Sequence, residues 1–264
     1  MLRLLAVIVL TVLPSAALAG ASAWQDIAPG VAARLISDDH IVNGRTRAAL
    51  EVNLPPGFKT YWRVAGETGI PTQLDFSAST GITGTAIEWP YPEIDLAGGY
   101  RNYVYHGALV IPLQLTIDAA SPVLAATVTM GICSDMCIPA QATFQLPLGS
   151  TADREQGLRL DVAEREVPIP WDGATPPLKD VRIDDGTLEI DGLDPAIAPE
   201  SVIAELRDSP ALWGTPQKSP VGDLWTIRAL GEWGSADLSG RTLDLTFVTP
   251  QGPYAATFAI AATK

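Results

Sequence analysis

Residues 45–64 read RTRAALEVNLPPGFKTYWRV, a pattern typical of two β-strands joined by a turn. Residues 45–53 have the length of a strand and partly alternate apolar with polar side chains. Residues 54–57 contain two prolines and a glycine, which favour a turn. Residues 59–64 are rich in aromatic side chains, as strands often are. This stretch therefore predicts antiparallel β-structure.

Similar short runs recur along the chain, and together they predict an all-β protein. Glycine (23 residues) and proline (22 residues) interrupt them, which disfavours long helices. Short strands at such spacing are typical of antiparallel sandwiches. The further runs are 84–89, 103–116, 125–132, 143–148, 181–183, 187–190, 201–206, 224–230, 243–248 and 254–260.

The first 23 residues are expected to be a cleaved secretory signal peptide. Arg3 precedes an apolar run at 4–13, and small residues then lead to Ala19 or Ala23 as the last residue removed. The apolar run is shorter than the ~20 residues that span a bilayer. We therefore expect an exported protein with no membrane span after cleavage, in a compartment where disulfides can persist.

A change of composition divides the remaining chain into two domains. We expect a first domain at 24–150, a linker at 151–179 and a smaller second β-sandwich at 180–264. Residues 151–165 are polar enough to hold one short helix, and four prolines between 168 and 177 make a stiff, extended stretch. Both cysteines and both histidines lie before the linker, so the first domain carries the chemistry.

The charge and the metal-ligating residues exclude several classes of function. The formal net charge of −13 argues against binding nucleic acid or an anionic membrane. With two cysteines and two histidines, the chain cannot hold several zinc fingers or a dense disulfide framework.

Cys133 and Cys137 are the only cysteines, and three residues separate them. They can join only if the chain folds back in a hairpin or tight loop. Closing so small a ring adds only about 2 kcal/mol of stability in the chain-entropy model, so a redox role is favoured over a structural one. Asp135 lies inside the ring, and its carboxylate is expected to raise the pKa of the thiols.

Two alternatives stay open at this point. The disulfide can be purely structural, in a module that only binds another protein. The pair can also bind Cu(I) in a copper-tolerance protein, because soft or borderline ligands are available. The candidate copper ligands are Cys133, Cys137, Met130, Met136, His106 and His40.

Several motifs that occur in order across residues 35–150 resemble a known family. They are KTYWR (59–63), GETGIP (66–71), EWPYP (88–92), GGY (98–100), YHG (105–107), VIPL (110–113) and CSDMCIPA (133–140). The set resembles the N-terminal periplasmic domain of the thiol:disulfide interchange protein DsbD, and more closely its relatives of the suppressor-of-copper-sensitivity B type.

The resemblance implies an immunoglobulin-like fold for the first domain. With the second β-sandwich expected after the linker, the predicted architecture is two immunoglobulin-like antiparallel β-sandwich domains joined by a Pro-rich linker. It implies a thiol–disulfide oxidoreductase without a cofactor, whose catalytic residues are Cys133 and Cys137, with Cys137 forming the first bond to a partner. A cap loop at 92–103, with Tyr100 as its shielding aromatic, and Tyr61 beside the site are implied as well.

The partners implied by the resemblance are periplasmic thioredoxin-like or other disulfide-exchange proteins. Full-length relatives carry a membrane electron-transfer domain, and the sequence of these 264 residues shows no such domain. A separate membrane electron transporter is therefore an expected partner, and the direction of electron flow stays open.

Overall fold

The computed structural model describes residues 20–149, 151–173, 175–207, 209, 211–220, 222–230 and 240–260. Residues 1–19 of the signal peptide predicted at residues 1–23 lie outside them. The described chain is mostly β, with 54% strand and one α-helix. None of its helices is long and apolar enough to cross a membrane.

Two sheets form the first half of the molecule. The first sheet contains β1 (Gln25–Ala28), β2 (Val31–Ser37), β3 (Arg45–Asn53), β6 (Ile82–Ile87) and β9 (Ala108–Ile117). The second contains β4 (Lys59–Gly66), β5 (Gln73–Asp75), β7 (Glu93–Asp95), β8 (Asn102–His106), β10 (Val123–Cys133) and β11 (Cys137–Pro147). The strands of the first sheet lie in the order β1-β2-β3-β9-β6. Those of the second lie in the order β11-β10-β4-β8-β7, with β5 paired to β10.

The main hydrophobic core lies between these two sheets. Leu50 of β3 and Ile111 of β9 face it from the first sheet, and Trp62 of β4 and Leu124 of β10 face it from the second. Successive side chains of a strand point to opposite faces, so alternate residues of the predicted runs supply this core. The burial of this apolar surface is the main stabilising contribution of the unit.

The short helix expected between residues 151 and 165 is present as α1 (Arg154–Ala163). The side chain of Asp153 accepts a hydrogen bond from the backbone of Gln156 and caps its first turn. Leu160 of α1 is fully buried against Ala21, Ile36 and Ala49. The helix thus packs on the first unit.

Two further sheets form the second unit. One contains β12 (Ile169–Pro170), β15 (Ile203–Leu206), β19 (Thr242–Thr249) and β20 (Gly252–Ala259). The other contains β13 (Asp180–Asp184), β14 (Thr187–Asp191), β16 (Leu212–Trp213), β17 (Gln217–Lys218) and β18 (Leu224–Leu230). The strands of the first lie in the order β12-β20-β19-β15, and those of the second in the order β13-β14-β18-β16, with β17 paired to β18. Leu188, Ile227, Leu245 and Phe247 belong to the core of this unit.

Polar contacts join the two units. The buried side chain of Arg101 donates hydrogen bonds to the carbonyl groups of Glu200 and Val202. The guanidinium of Arg63 forms an ion pair with Glu205. These contacts hold the second unit beside β4 and the segment that leads into β8.

Candidate functional site

A disulfide joins Cys133 and Cys137 at the tip of the β10–β11 hairpin. The two residues are direct partners in the β-ladder, with their Cα atoms 4.0 Å apart, and residues 134–136 form the turn between them. The fold-back that the spacing requires is therefore supplied by the longest strand pair of the second sheet.

The two halves of this disulfide differ in exposure. Cys133 is 1% exposed, because β10 lies between β11 and β4 in the sheet. Cys137 is exposed at the start of β11, the edge strand. Its neighbours in the chain, Met136 and Ile138, are 75% and 38% exposed. One cysteine is thus embedded in the sheet, and the other is exposed, with exposed apolar residues directly before and after it in the chain.

Tyr61 lies against both sulfurs. Its hydroxyl oxygen is 3.3 Å from Sγ of Cys133 and 3.7 Å from Sγ of Cys137. Because disulfide sulfurs carry no hydrogen, the hydroxyl is the donor in these contacts. Tyr61 is 2% exposed and clusters with Ala65, Val104 and Cys133, on the face of the sheet opposite to the main core.

Two glycines make room for the ring of Tyr61. A Cβ atom at Gly69 would lie 2.2 Å from Cδ1 of Tyr61, which is far inside van der Waals contact. A Cβ atom at Gly131 would lie 3.3 Å from Cδ2 of the same ring and 2.9 Å from Cβ of Ile70. Neither glycine was predicted as a site residue, although a glycine within a strand, such as Gly131, often indicates a close approach of another group.

Lys59 is the second neighbour of Cys133 in the ladder. Opposed residues of antiparallel strands project their side chains from the same face, so the lysine stem starts beside the disulfide. Its ammonium group is 2.5 Å from Oδ2 of Asp95. This hydrogen bond lowers the pKa of the Asp95 carboxyl, against an opposing effect of burial. The pair ties residues 92–103 to the strand that carries Tyr61.

The other two predicted site residues, Asp135 and Tyr100, are exposed to solvent. Asp135 is exposed in the hairpin turn. Tyr100 is 50% exposed and follows a 3-10 turn at Ala97–Gly99. Among the described residues, no hydrogen bond or ring contact joins Tyr100 to the cysteine pair. The roles predicted for both residues stay predictions.

The structure brings together only part of the predicted copper-ligand set. Met130 is fully buried in the main core, on the opposite face of the sheet from Cys133. Nδ1 of His106 is 3.0 Å from the carbonyl oxygen of Phe58. Met136 lies next to Cys137 and is exposed, and His40 is an exposed residue after β2. Within the described ranges, no group of three or more His, Cys, Asp or Glu residues is placed to hold a metal ion.

Comparison with protein families gives a match over the domain that carries this disulfide. The family model described as "Thiol:disulfide interchange protein DsbD, N-terminal" matches residues 32–149. These residues form a DsbD N-terminal domain. The DsbD N-terminal domain includes both cysteines and Tyr61, and it agrees with the resemblance stated for residues 35–150. The family is one of thiol:disulfide interchange proteins.

A solved structure extends the likeness of fold to both units. The crystal structure of the N-terminal periplasmic domain of ScsB from Proteus mirabilis is similar, with a TM-score of 0.71 and 21% sequence identity. The match covers 93% of this chain and 100% of that chain. The ScsB domain is periplasmic. No curated protein matches the chain.

Proposed function

We propose that the chain is a periplasmic thiol–disulfide oxidoreductase module that passes electrons through the Cys133/Cys137 pair. The observation that supports this most is the unequal exposure of the two cysteines within a DsbD N-terminal domain. The proposal includes an immunoglobulin-like sandwich for each unit, a first domain at 24–150, a linker at 151–179 and a second domain at 180–264.

The first step is an attack on the exposed sulfur. A thiolate of the partner attacks Sγ of Cys137, the Cys133–Cys137 bond breaks, and its electron pair leaves with Cys133 as a thiolate. The partner is then joined to Cys137 by a mixed disulfide. Burial protects Cys133 from the same attack, because a nucleophile must approach the sulfur along the axis of the S–S bond.

The second step releases the partner. Its second thiolate attacks its own sulfur in the mixed disulfide, and Cys137 leaves as a thiolate that takes a proton from water. The partner is now oxidised and the pair is reduced by two electrons; the reverse sequence reduces the next protein. The hydroxyl of Tyr61 can donate to the Cys133 thiolate, which stabilises the leaving group of the first step.

The surface around Cys137 is suited to a thioredoxin-like partner. Met136, the exposed turn residue directly before Cys137, offers apolar contact surface beside the reactive residue. We propose that residues 92–103, with Tyr100, shield the pair between encounters, and that a membrane electron transporter supplies or takes the electrons.

The experiment that tests this function traps the mixed disulfide. Cys133→Ala keeps the exposed nucleophile and removes the resolving thiol, whereas Cys137→Ala keeps only the buried thiol. Each variant is mixed with a thioredoxin-fold protein that retains one active-site cysteine, activated as its mixed disulfide with thionitrobenzoate. We expect at least tenfold more covalent complex with Cys133→Ala on non-reducing gels.

Equal amounts of complex from the two variants would contradict the assignment of Cys137. A reduction potential of the wild-type pair well below about −300 mV would instead indicate a structural disulfide. In that case the double Cys→Ser variant would lose stability without losing any exchange activity.

A further inference from the structure

One oxygen of a buried carboxylate outside the disulfide site lacks a hydrogen-bond partner. Asp39 follows β2 and is 1% exposed, yet its Oδ1 atom has no hydrogen-bond partner. Aspartate is rarely buried to this extent unless it is paired, because an isolated buried charge is costly. This atom therefore lies where a donor, preferably a positively charged one, is missing.

The neighbours of Asp39 add negative charge. Burial raises the pKa of Asp39, and the nearby carboxylate of Asp153 raises it further, while the Ser37 hydroxyl and the backbone N–H groups of Gly149 and Gly20 lower it. The nearby guanidinium of Arg47 is already engaged by Asp38, Asp161 and Glu164.

The backbone nitrogen of Gly20 is thus one of the few donors that face Asp39. A Cβ atom at Gly20 would lie 2.7 Å from Oδ2 of Asp153, and its φ of +72° also favours glycine. The residue is therefore held between the two carboxylates.

The residues that follow Gly20 are integral to the first unit. The carbonyl of Gly20 accepts a hydrogen bond from the backbone of Ser37 at 2.7 Å. Ala21 pairs with Ile36 and is 2% exposed, and the backbone of Ser22 donates to Leu35. Backbone pairing along β2 thus continues as far as Gly20, which lies beside the carboxylates of Asp39 and Asp153.

We propose that a signal peptidase hydrolyses the Ala19–Gly20 bond and that the new α-ammonium group of Gly20 binds the carboxylates of Asp39 and Asp153. One water is consumed: Ala19 gains a carboxylate, and the Gly20 nitrogen becomes an amine that takes up a proton. An α-amino group has an ordinary pKa of about 7.7–8.0, so it is charged at neutral pH.

The ammonium has three N–H donors and one positive charge in place of the single amide N–H. Of the two cleavage positions that the sequence offers, this assignment selects Ala19. The mature chain then begins four residues before the predicted boundary at residue 24.

The first test identifies the mature N-terminus. The full 264-residue chain is exported to a Gram-negative periplasm, and the purified protein is analysed by intact mass and N-terminal sequencing. We expect Gly20 as the first residue. A chain that begins at Trp24, or at any residue other than Gly20, would overturn the proposal.

The second test measures the ion pair. Two chains are compared, one beginning at Gly20 and one that retains Ala19. We expect the Gly20 chain to have a Tm higher by about 3–6 °C, the shift that one or two kcal/mol give in a protein of this size. The Tm difference should vanish with Asp39→Asn and persist with Glu155→Gln. Glu155 is a suitable control because it is an exposed acid in the first turn of α1, the helix that Asp153 caps.

A Tm difference that is absent, or that survives Asp39→Asn, would overturn the ion pair. If Asp39→Asn does not fold, the titration of ¹⁵N-labelled Gly20 in the wild-type protein decides the question. We expect the pKa of its α-amino group to lie above 8. A value at or below the ordinary range would refute the contact.

Discussion

The two sulfurs of one covalent bond lie in two very different environments. Around Cys133 the structure is dense, with a tyrosine ring, two glycines that admit it, and a strand on either side. Around Cys137 the hairpin turn and the start of an edge strand are open to solvent. A bond that is to be exchanged benefits from both environments, since one sulfur is held in place and the other can be reached.

The difference also separates stability from reactivity. Close packing penalises changes of volume around Cys133. Substitutions at exposed positions such as Met136 usually change stability by less than about 0.5 kcal/mol. Exposed residues such as Met136, which we propose meet the partner, can therefore vary with little effect on the stability of the fold.

The largest effect is expected from a substitution that disturbs the packing around the buried Cys133. Gly69→Ala places a methyl group in the space of the Tyr61 ring, which must move. We expect the free energy of unfolding to fall by about 1–3 kcal/mol. The rate of disulfide reduction by dithiothreitol should also fall, because the displaced ring carries its hydroxyl away from Cys133. Urea unfolding and a stopped-flow reduction assay measure the two effects.

Gly84→Ala is the matched control for this variant. A Cβ atom at Gly84 meets the Thr116 side chain no closer than 3.4 Å, so both quantities should stay near their wild-type values. Equal effects of the two substitutions would show that the packing of Tyr61 does not set the stability of the site.

Tyr61→Phe sharpens the comparison by removing only the hydroxyl. The ring still fills its space, so the change in stability should stay below about 1 kcal/mol. The Cys133 thiolate loses its donor, and we expect attack at Cys137 by a thiol to slow about tenfold, since hydrogen bonds to charged groups are worth about 1.5–3 kcal/mol.

The rate of reduction by glutathione at fixed pH checks this prediction. Tyr254→Phe in the second unit is the control and should leave the rate unchanged. A Tyr61→Phe protein that reacts at the wild-type rate would mean that the hydroxyl does not assist the leaving sulfur.

The smallest effect is expected at the ion pair between Lys59 and Asp95. Because the pKa of Asp95 is lowered in the folded protein, the pair stabilises above the ordinary aspartate pKa, and this contribution is lost as the pH falls through the folded value. Asp95→Asn should therefore cost up to about 1 kcal/mol at pH 7 and almost nothing at pH 2.

Unfolding curves at the two pH values measure the difference between wild type and Asp95→Asn. The exposed pair of Lys218 and Asp223 provides the comparison, and Asp223→Asn should change little at either pH. A gap between wild type and Asp95→Asn that does not depend on pH would contradict an electrostatic origin.

Local patterns in the sequence predict much of this structure. Both strand runs in residues 45–64 are present, as β3 and β4, and the spacing of Cys133 and Cys137 correctly requires a fold-back. Each of these features depends on residues close together in the chain. The quoted motifs also led to the DsbD N-terminal domain family, which the match over residues 32–149 bears out.

The features that were missed depend on contacts between distant residues. Lys59 meets Asp95 across 36 residues, and Gly69 meets Tyr61 through a segment that returns to β4. Neither partner can be identified until the register of the sheet is known. The proline-rich stretch contributes a strand as well, since Ile169–Pro170 pairs with β20 at a sheet edge, where a residue without an N–H group is tolerated.

The contacts of Arg101 have a mechanical consequence. Residues 96–100 are fastened at one end through Asp95 to Lys59, beside the disulfide, and at the other end through Arg101 to the second unit. A swing of the second unit about the first pulls directly on this short segment. A change in the relative orientation of the two halves would thus put tension on the chain that Lys59 anchors near the Cys133–Cys137 disulfide.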